Sequence, residues 1–201
     1  MTELISLNSE FATNRLVLLH GWGADAHDLV PFGKLLTEEF RDLFEIVSLS
    51  APQPHPSGFG RQWYPLYPHD WEQVPNAVLD LEMRLNNLFS EKIPLEKTLL
   101  LGFSQGGAMA LELATRIKFE GVFALSSYPH PKWQPLSYMP PIFLCHGNID
   151  QVVPKEASQK SFDILTEIGI KSDLYFFDGG HEKNNDLIEY CRKIIKKKFL
   201  S

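Results

Sequence analysis

The chain has 201 residues, 44% hydrophobic and 22% charged, the proportions of a globular protein, and one domain over residues 1–201 is expected. A net charge of -6 leaves no broad basic surface, which argues against nucleic acid or an anionic membrane as a partner. No apolar run approaches the roughly 20 residues needed to span a bilayer, so stable membrane insertion is not expected. The start, Met1-Thr2-Glu3-Leu4-Ile5, lacks the basic and apolar segments of a secretion signal. Cys145 and Cys191 are too few for a disulfide framework, so reduced thiols and a cytoplasmic location are expected.

Residues 15–20 (RLVLLH) read as a strand buried on both faces, ending at Gly21-Trp22-Gly23. A helix follows, with Asp25 as its cap and Leu29, Phe32, Leu35, Leu36 and Phe40 as its apolar stripe. Residues 45–49 form the next strand. Residues 51–68 are dense in Pro and Gly, with Phe59, Trp63, Tyr64 and Tyr67 interspersed, so this loop is a satellite core, a pocket wall or a homodimer contact. A helix spans 75–90, opened by Pro75 and facing inward through Val78, Leu81, Leu85 and Leu88.

Strand 98–101 leads into a helical pattern over 108–117, marked by Met109, Leu113 and Ile117. Strands 121–126 and 141–146, helix 155–168 closing at Gly169, strand 171–177 and a terminal amphipathic helix over 184–199 complete the chain. The basic cluster Arg192, Lys193, Lys196, Lys197 and Lys198 complements the dipole of that last helix. Alternating strands and helices predict an α/β fold, a mostly parallel sheet covered by helices on both faces.

Between strand 98–101 and its helix sits Gly102-Phe103-Ser104-Gln105-Gly106, a G-x-S-x-G pattern. A sharp strand-to-helix turn lifts such a Ser above the sheet edge, and side chains two residues to either side would collide with neighbouring elements. The turn leaves the N–H of Gln105 at a helix N-terminus, aimed at an incoming carbonyl oxygen. The alternative use of Ser104 is as a helix cap.

A Ser hydroxyl needs a His to take its proton, and the His needs an acid to orient it. In hydrolases built on such sheets the chain order is Ser, acid, His. His181, in the Gly179-Gly180-His181 turn after the last strand, fits this order, whereas His130 lies in a proline-rich loop and His146 reads as packing. Asp150 lies after a strand between the two, while Asp173 and Asp178 are too near His181 in sequence. The loop after the first strand supplies a second oxyanion donor, the Trp22 N–H, with His20 holding that loop. Trp22, Phe59, Trp63, Tyr64, Met109 and Val152 are the apolar candidates for an acyl wall. The chain carries no H-E-x-x-H, no C-x-x-C and neither phosphate-binding glycine motif, so neither metal nor cofactor is indicated.

The segments LLHGWGAD (18–25), RQWY (61–64), LGFSQGGAMAL (101–111), ALSSY (124–128), HGNIDQVVP (146–154) and GGH (179–181) together resemble the carboxylesterase/phospholipase family that includes the acyl-protein thioesterases. The resemblance implies an α/β-hydrolase fold and a cofactor-free serine esterase or thioesterase. It implies Ser104, Asp150 and His181 as triad, with the N–H groups of Gln105 and Trp22 as oxyanion hole. Ser127 stands where the family often has Gly, and Trp22 where Leu is common. A larger ring at Trp22 and a chain too short for a separate lid favour small to medium acyl chains. Long-chain thioesters or lysophospholipids are the alternative substrates. A non-catalytic binding module on the same scaffold is the alternative of another class.

Overall fold

The computed structural model describes residues 4–88 and 92–199. In chain order the elements are β1 (Leu4–Leu7), β2 (Asn14–Leu19), α1 (Val30–Thr37), β3 (Phe44–Leu49), β4 (Gln53–Pro54), β5 (Arg61–Gln62) and α2 (Val74–Asn86). They continue as β6 (Thr98–Phe103), α3 (Gln105–Leu113), β7 (Gly121–Leu125), β8 (Ile142–Gly147), α4 (Glu156–Glu167), β9 (Ser172–Phe177) and α5 (Asn185–Phe199). Seven strands form one sheet in the order β1-β3-β2-β6-β7-β8-β9, and β4 pairs with β5 in a small ribbon. Every neighbouring pair in the large sheet is parallel except β1 with β3.

The buried strands alternate between two cores. Val17, Leu19, Leu100, Val122, Ala124, Ile142 and Leu144 face one layer, packed with Val78, Leu81 and Leu85 of α2, Met109 and Leu113 of α3, and Leu165 of α4. Leu16, Leu18, Leu99, Leu101, Phe123, Phe143 and Cys145 face the other, against Phe32 and Leu36 of α1 and Leu187, Cys191 and Ile195 of α5. Burying both faces removes the polar alternation from these strands, which is why they read as continuous apolar runs.

Three expectations shift, and one strand is added. The antiparallel edge strand β1 is half-exposed and too short to carry a pattern of its own. Asp25 does not cap α1; its carboxylate accepts the His27 N–H at 2.8 Å and closes a local turn. The helix begins only at Val30, with proline in its first turn. Helix α3 begins at Gln105, because Gly106 and Gly107 carry no side chain through which a helical period could show. Residues 89–90 of the expected second helix, and residues 1–3 of the start, lie outside the described residues. Among those described, no helix is long and apolar enough to cross a membrane.

Candidate active site

Ser104 stands at the carboxyl end of the central strand β6, with φ 52° and ψ -117°, a left-handed backbone that side chains rarely adopt. The strain is held by its neighbours. The Ser104 N–H donates to Leu125 C=O at 2.8 Å, and the Ser104 C=O accepts Ala108 N–H at 3.1 Å and Ser127 Oγ–H at 3.0 Å. A Cβ on Gly102 would lie 2.1 Å from the Gly106 carbonyl, and one on Gly106 would lie 2.1 Å from the Leu19 carbonyl of β2. The glycines two before and two after the Ser are thus demanded by backbone. The Ser104 side chain makes no capping hydrogen bond to α3, which removes the helix-cap alternative.

Asp150 and His181 meet on the loops after β8 and β9. His181 Nδ1 donates to Asp150 Oδ2 at 2.7 Å, and the carboxylate is fully buried. The other oxygen, Oδ1, accepts the N–H groups of Val152 and Val153, each at 2.9 Å. Gly147 lets the two loops close, since a Cβ there would lie 2.2 Å from the Gly180 carbonyl. Phe103 packs on the other side of the imidazole, ring centroids 4.8 Å apart. Lys183, two residues beyond His181, lies 4.7 Å over the Phe103 ring and pairs with Asp28 at 2.9 Å.

His146 does more than pack. Its Nε2–H donates to Val153 C=O at 2.9 Å and lies 3.3 Å from Asp150 Oδ2, while Nδ1 faces Ser158 Oγ at 2.6 Å. Burial pulls its pKa below the ordinary value of 6.5, so the ring stays neutral beneath the carboxylate. His20 is likewise buried and lowered by desolvation. It holds the loop after β2 as expected: Nδ1 donates to Gly21 C=O at 2.7 Å and Nε2 accepts the Ala51 N–H at 3.0 Å.

The RQWY segment is structural. Gln105 Oε1 accepts the Trp63 N–H at 3.0 Å, and its Nε2 donates to Tyr64 C=O at 2.8 Å. Trp63 Nε1 donates to His20 C=O at 2.9 Å. Arg61 donates to the Ala51 and Pro52 carbonyls, and its own backbone pairs with Gly23 N–H and Ala24 C=O. The segment therefore splices the serine turn to the loop carrying Trp22.

Beside Ser104 and His181 lies a cavity of about 430 Å³, lined also by Trp22, Leu66, Tyr67, His69, Trp71, Tyr128 and Val152. Of the expected wall residues, Trp22 and Val152 line it. Trp63, Tyr64 and Met109 do not, because all three are completely buried: the first two are tied into the splice and Met109 sits in the α3 core. Phe59 does not line it either, being 83% exposed. Tyr67 and Trp71 take over, with Tyr67 packed on the Trp22 ring at 5.3 Å. Aromatic composition marked this region as a wall, but not which rings turn outward. Tyr128 lay in the ALSSY segment with no role assigned. Both cysteines are free and buried, and burial pushes the Cys145 thiol well above its ordinary value. Among the described residues no group of three His, Cys, Asp or Glu is arranged to hold a metal.

A mostly parallel sheet with a strained serine turn on its central strand, and an Asp–His pair on the next loops, defines an α/β-hydrolase. The family profile described as phospholipase/carboxylesterase matches residues 2–199, and the chain belongs to that family of hydrolases. Acyl-protein thioesterase 1 of Candida albicans is 26% identical over an alignment of 227 positions, covering 96% of this chain and 97% of that one. Acyl-protein thioesterase 1 homolog 1 of Dictyostelium discoideum is 35% identical over 115 residues, 53% of this chain and 51% of its own length. The crystal structure of esterase PE8 superposes with a TM-score of 0.89 at 27% identity, covering 98% of this chain and 100% of that chain.

Proposed function

We propose that the chain hydrolyses carboxylic esters of small to medium acyl chain through an acyl-enzyme on Ser104. His181 Nε2 takes the Ser104 Oγ proton as Oγ attacks the carbonyl carbon, and the N–H groups of Gln105 and Trp22 hold the oxyanion. The imidazolium, oriented and balanced by Asp150, gives its proton to the departing alcohol. It then takes a proton from the water that releases the acid, and returns it to Ser104. The observation that carries this reading is one cavity. A strained, uncapped Ser and an imidazole bonded through Nδ1 to a buried carboxylate both line it.

Its volume, about 430 Å³, falls toward the small end of ligand pockets, and Trp22 and Tyr67 crowd it, which supports short acyl groups. A second reading, long-chain thioesters, has its own support. Relatives are named acyl-protein thioesterases, and Tyr67, Ile149 and Val152 leave apolar side chains exposed near the site. Hydrolysis of p-nitrophenyl esters from acetate to palmitate separates the two. A short-chain optimum supports the first, and activity rising beyond about eight carbons, at roughly 0.8 kcal/mol per buried CH₂, supports the second. Ser104→Ala is expected to lower kcat at least about 10³-fold. Inertness of both wild type and variant would leave a binding module on a hydrolase scaffold, and equal activity in both would move the nucleophile elsewhere.

A further inference from the structure

A chain of hydrogen bonds leads from the cavity into the protein. Tyr128 lines the cavity, and its hydroxyl lies 2.7 Å from that of Tyr64. Tyr64 Oη lies 2.8 Å from His130 Nε2, and His130 Nδ1 lies 2.9 Å from Glu112 Oε1. Tyr64 and His130 are buried. The Trp71 ring packs around all three aromatic members, at 6.0 Å from Tyr64, 6.4 Å from Tyr128 and 5.8 Å from His130. No step of the proposed hydrolysis uses Glu112, His130 or Tyr64.

Chemistry gives the chain a direction. A carboxylate only accepts, so His130 places a ring hydrogen on Nδ1, pointed at Glu112, and with that one ring hydrogen it leaves Nε2 bare. Nε2 is then an acceptor and takes the Tyr64 O–H. The Tyr64 oxygen in turn takes the Tyr128 O–H. Burial holds the Tyr64 phenol far above its ordinary value and pushes Tyr128 up to about 12, so both keep their hydrogens at neutral pH. Each hydrogen is spent inward, and the oxygen at the cavity end is left with lone pairs and no hydrogen to offer. Apolar surroundings strengthen each bond and penalise any reversal that leaves a member unpaired.

We infer that Tyr128 is a specificity-determining hydrogen-bond acceptor, held in that role by the Glu112–His130–Tyr64 chain, and that the cavity prefers esters bearing an O–H or N–H a few atoms from the scissile carbonyl. The inference rests on hydrolysis at Ser104 in the same cavity. An alkyl substrate covers the Tyr128 oxygen without supplying a partner, whereas a hydroxyl of the same size satisfies it.

The test compares esters in which a terminal hydroxyl replaces a methyl. Methyl 6-hydroxyhexanoate against methyl heptanoate probes the acyl side, and 4-hydroxybutyl acetate against pentyl acetate probes the alcohol side. Acid release gives kcat/KM for wild type, Tyr128→Phe and Glu112→Gln. In at least one pair the hydroxy-to-alkyl ratio is expected to fall about tenfold in Tyr128→Phe, and to fall less in Glu112→Gln, whose neutral amide no longer fixes the His130 tautomer. A merely structural role lowers both esters together, so an unmoved ratio in both pairs overturns the assignment. NMR titration of Ser104→Ala and the Ser104→Ala/Tyr128→Phe double variant with the same esters reads binding without turnover. If wild type hydrolyses none of them but the hydroxy preference is present and lost in the double variant, the hydrolysis reading falls and the Tyr128 assignment stands. No preference in binding or in turnover overturns it.

Discussion

Gln105, the residue after Ser104, ties the serine turn to the 61–64 segment through its side chain. Its amide holds the Trp63 N–H and the Tyr64 C=O, both in surroundings closed to water. A leucine would fill similar space while leaving a buried donor and a buried acceptor unpaired, at about 1–3 kcal/mol each. Gln105→Leu is therefore expected to lose roughly 2–6 kcal/mol of unfolding free energy in urea titration. An unchanged midpoint and slope would show that the clamp holds nothing. The place of Gln105 after the Ser, at the start of α3, was legible. The side-chain role was not, because its partners lie 42 and 41 residues away and nothing local announces them. The same limit explains the wall residues: Phe59, Trp63 and Tyr64 are neighbours in one loop, and only tertiary hydrogen bonds decide that two turn in and one turns out.

At the scale of elements, the β6–α3 corner is fitted backbone to backbone. Gly106→Ala would press a methyl to within 2.1 Å of Leu19 C=O and 2.6 Å of His20 C=O, on a central strand with no room to yield. Little folded protein is expected from this variant in thermal unfolding. Gly58→Ala is the control: nothing lies within 4 Å and only its φ of +82° opposes the methyl, at a cost of about 1–2 kcal/mol. Comparable melting of the two would refute the close-fit argument. The strands, the corner and the loops bearing Asp150 and His181 were all legible, because doubly buried strands and paired glycines leave strong local marks. Strand β1 and the late start of α1 were not: one is short and half-exposed, and the other depends on Asp25 being engaged by His27.

Over the whole molecule, two neutral histidines make stability sensitive to acid. Burial lowers the pKa of both His20 and His146 from the ordinary 6.5, so the unfolded chain binds protons more readily than the folded one. Their contribution is full above pH 6.5 and is lost as pH falls below it toward the folded values. Denaturant titrations between about pH 7 and pH 5 should show stability declining with acid, with a shallower decline in His146→Gln. An identical slope in that variant would assign the effect to other groups.

The Lys183–Asp28 pair joins residues 155 positions apart. Its consequence reaches into biosynthesis. The loop carrying Trp22 leaves the ribosome first and the serine turn well after it, but the imidazole follows only after β9, and the lysine that docks its loop comes two residues later. A nascent chain therefore carries an unassisted alcohol from the addition of Ser104 until His181 follows. On the proposed chemistry, hydrolytic power waits for the loop bearing His181, so a product cut short before that residue is inert toward the esters around it.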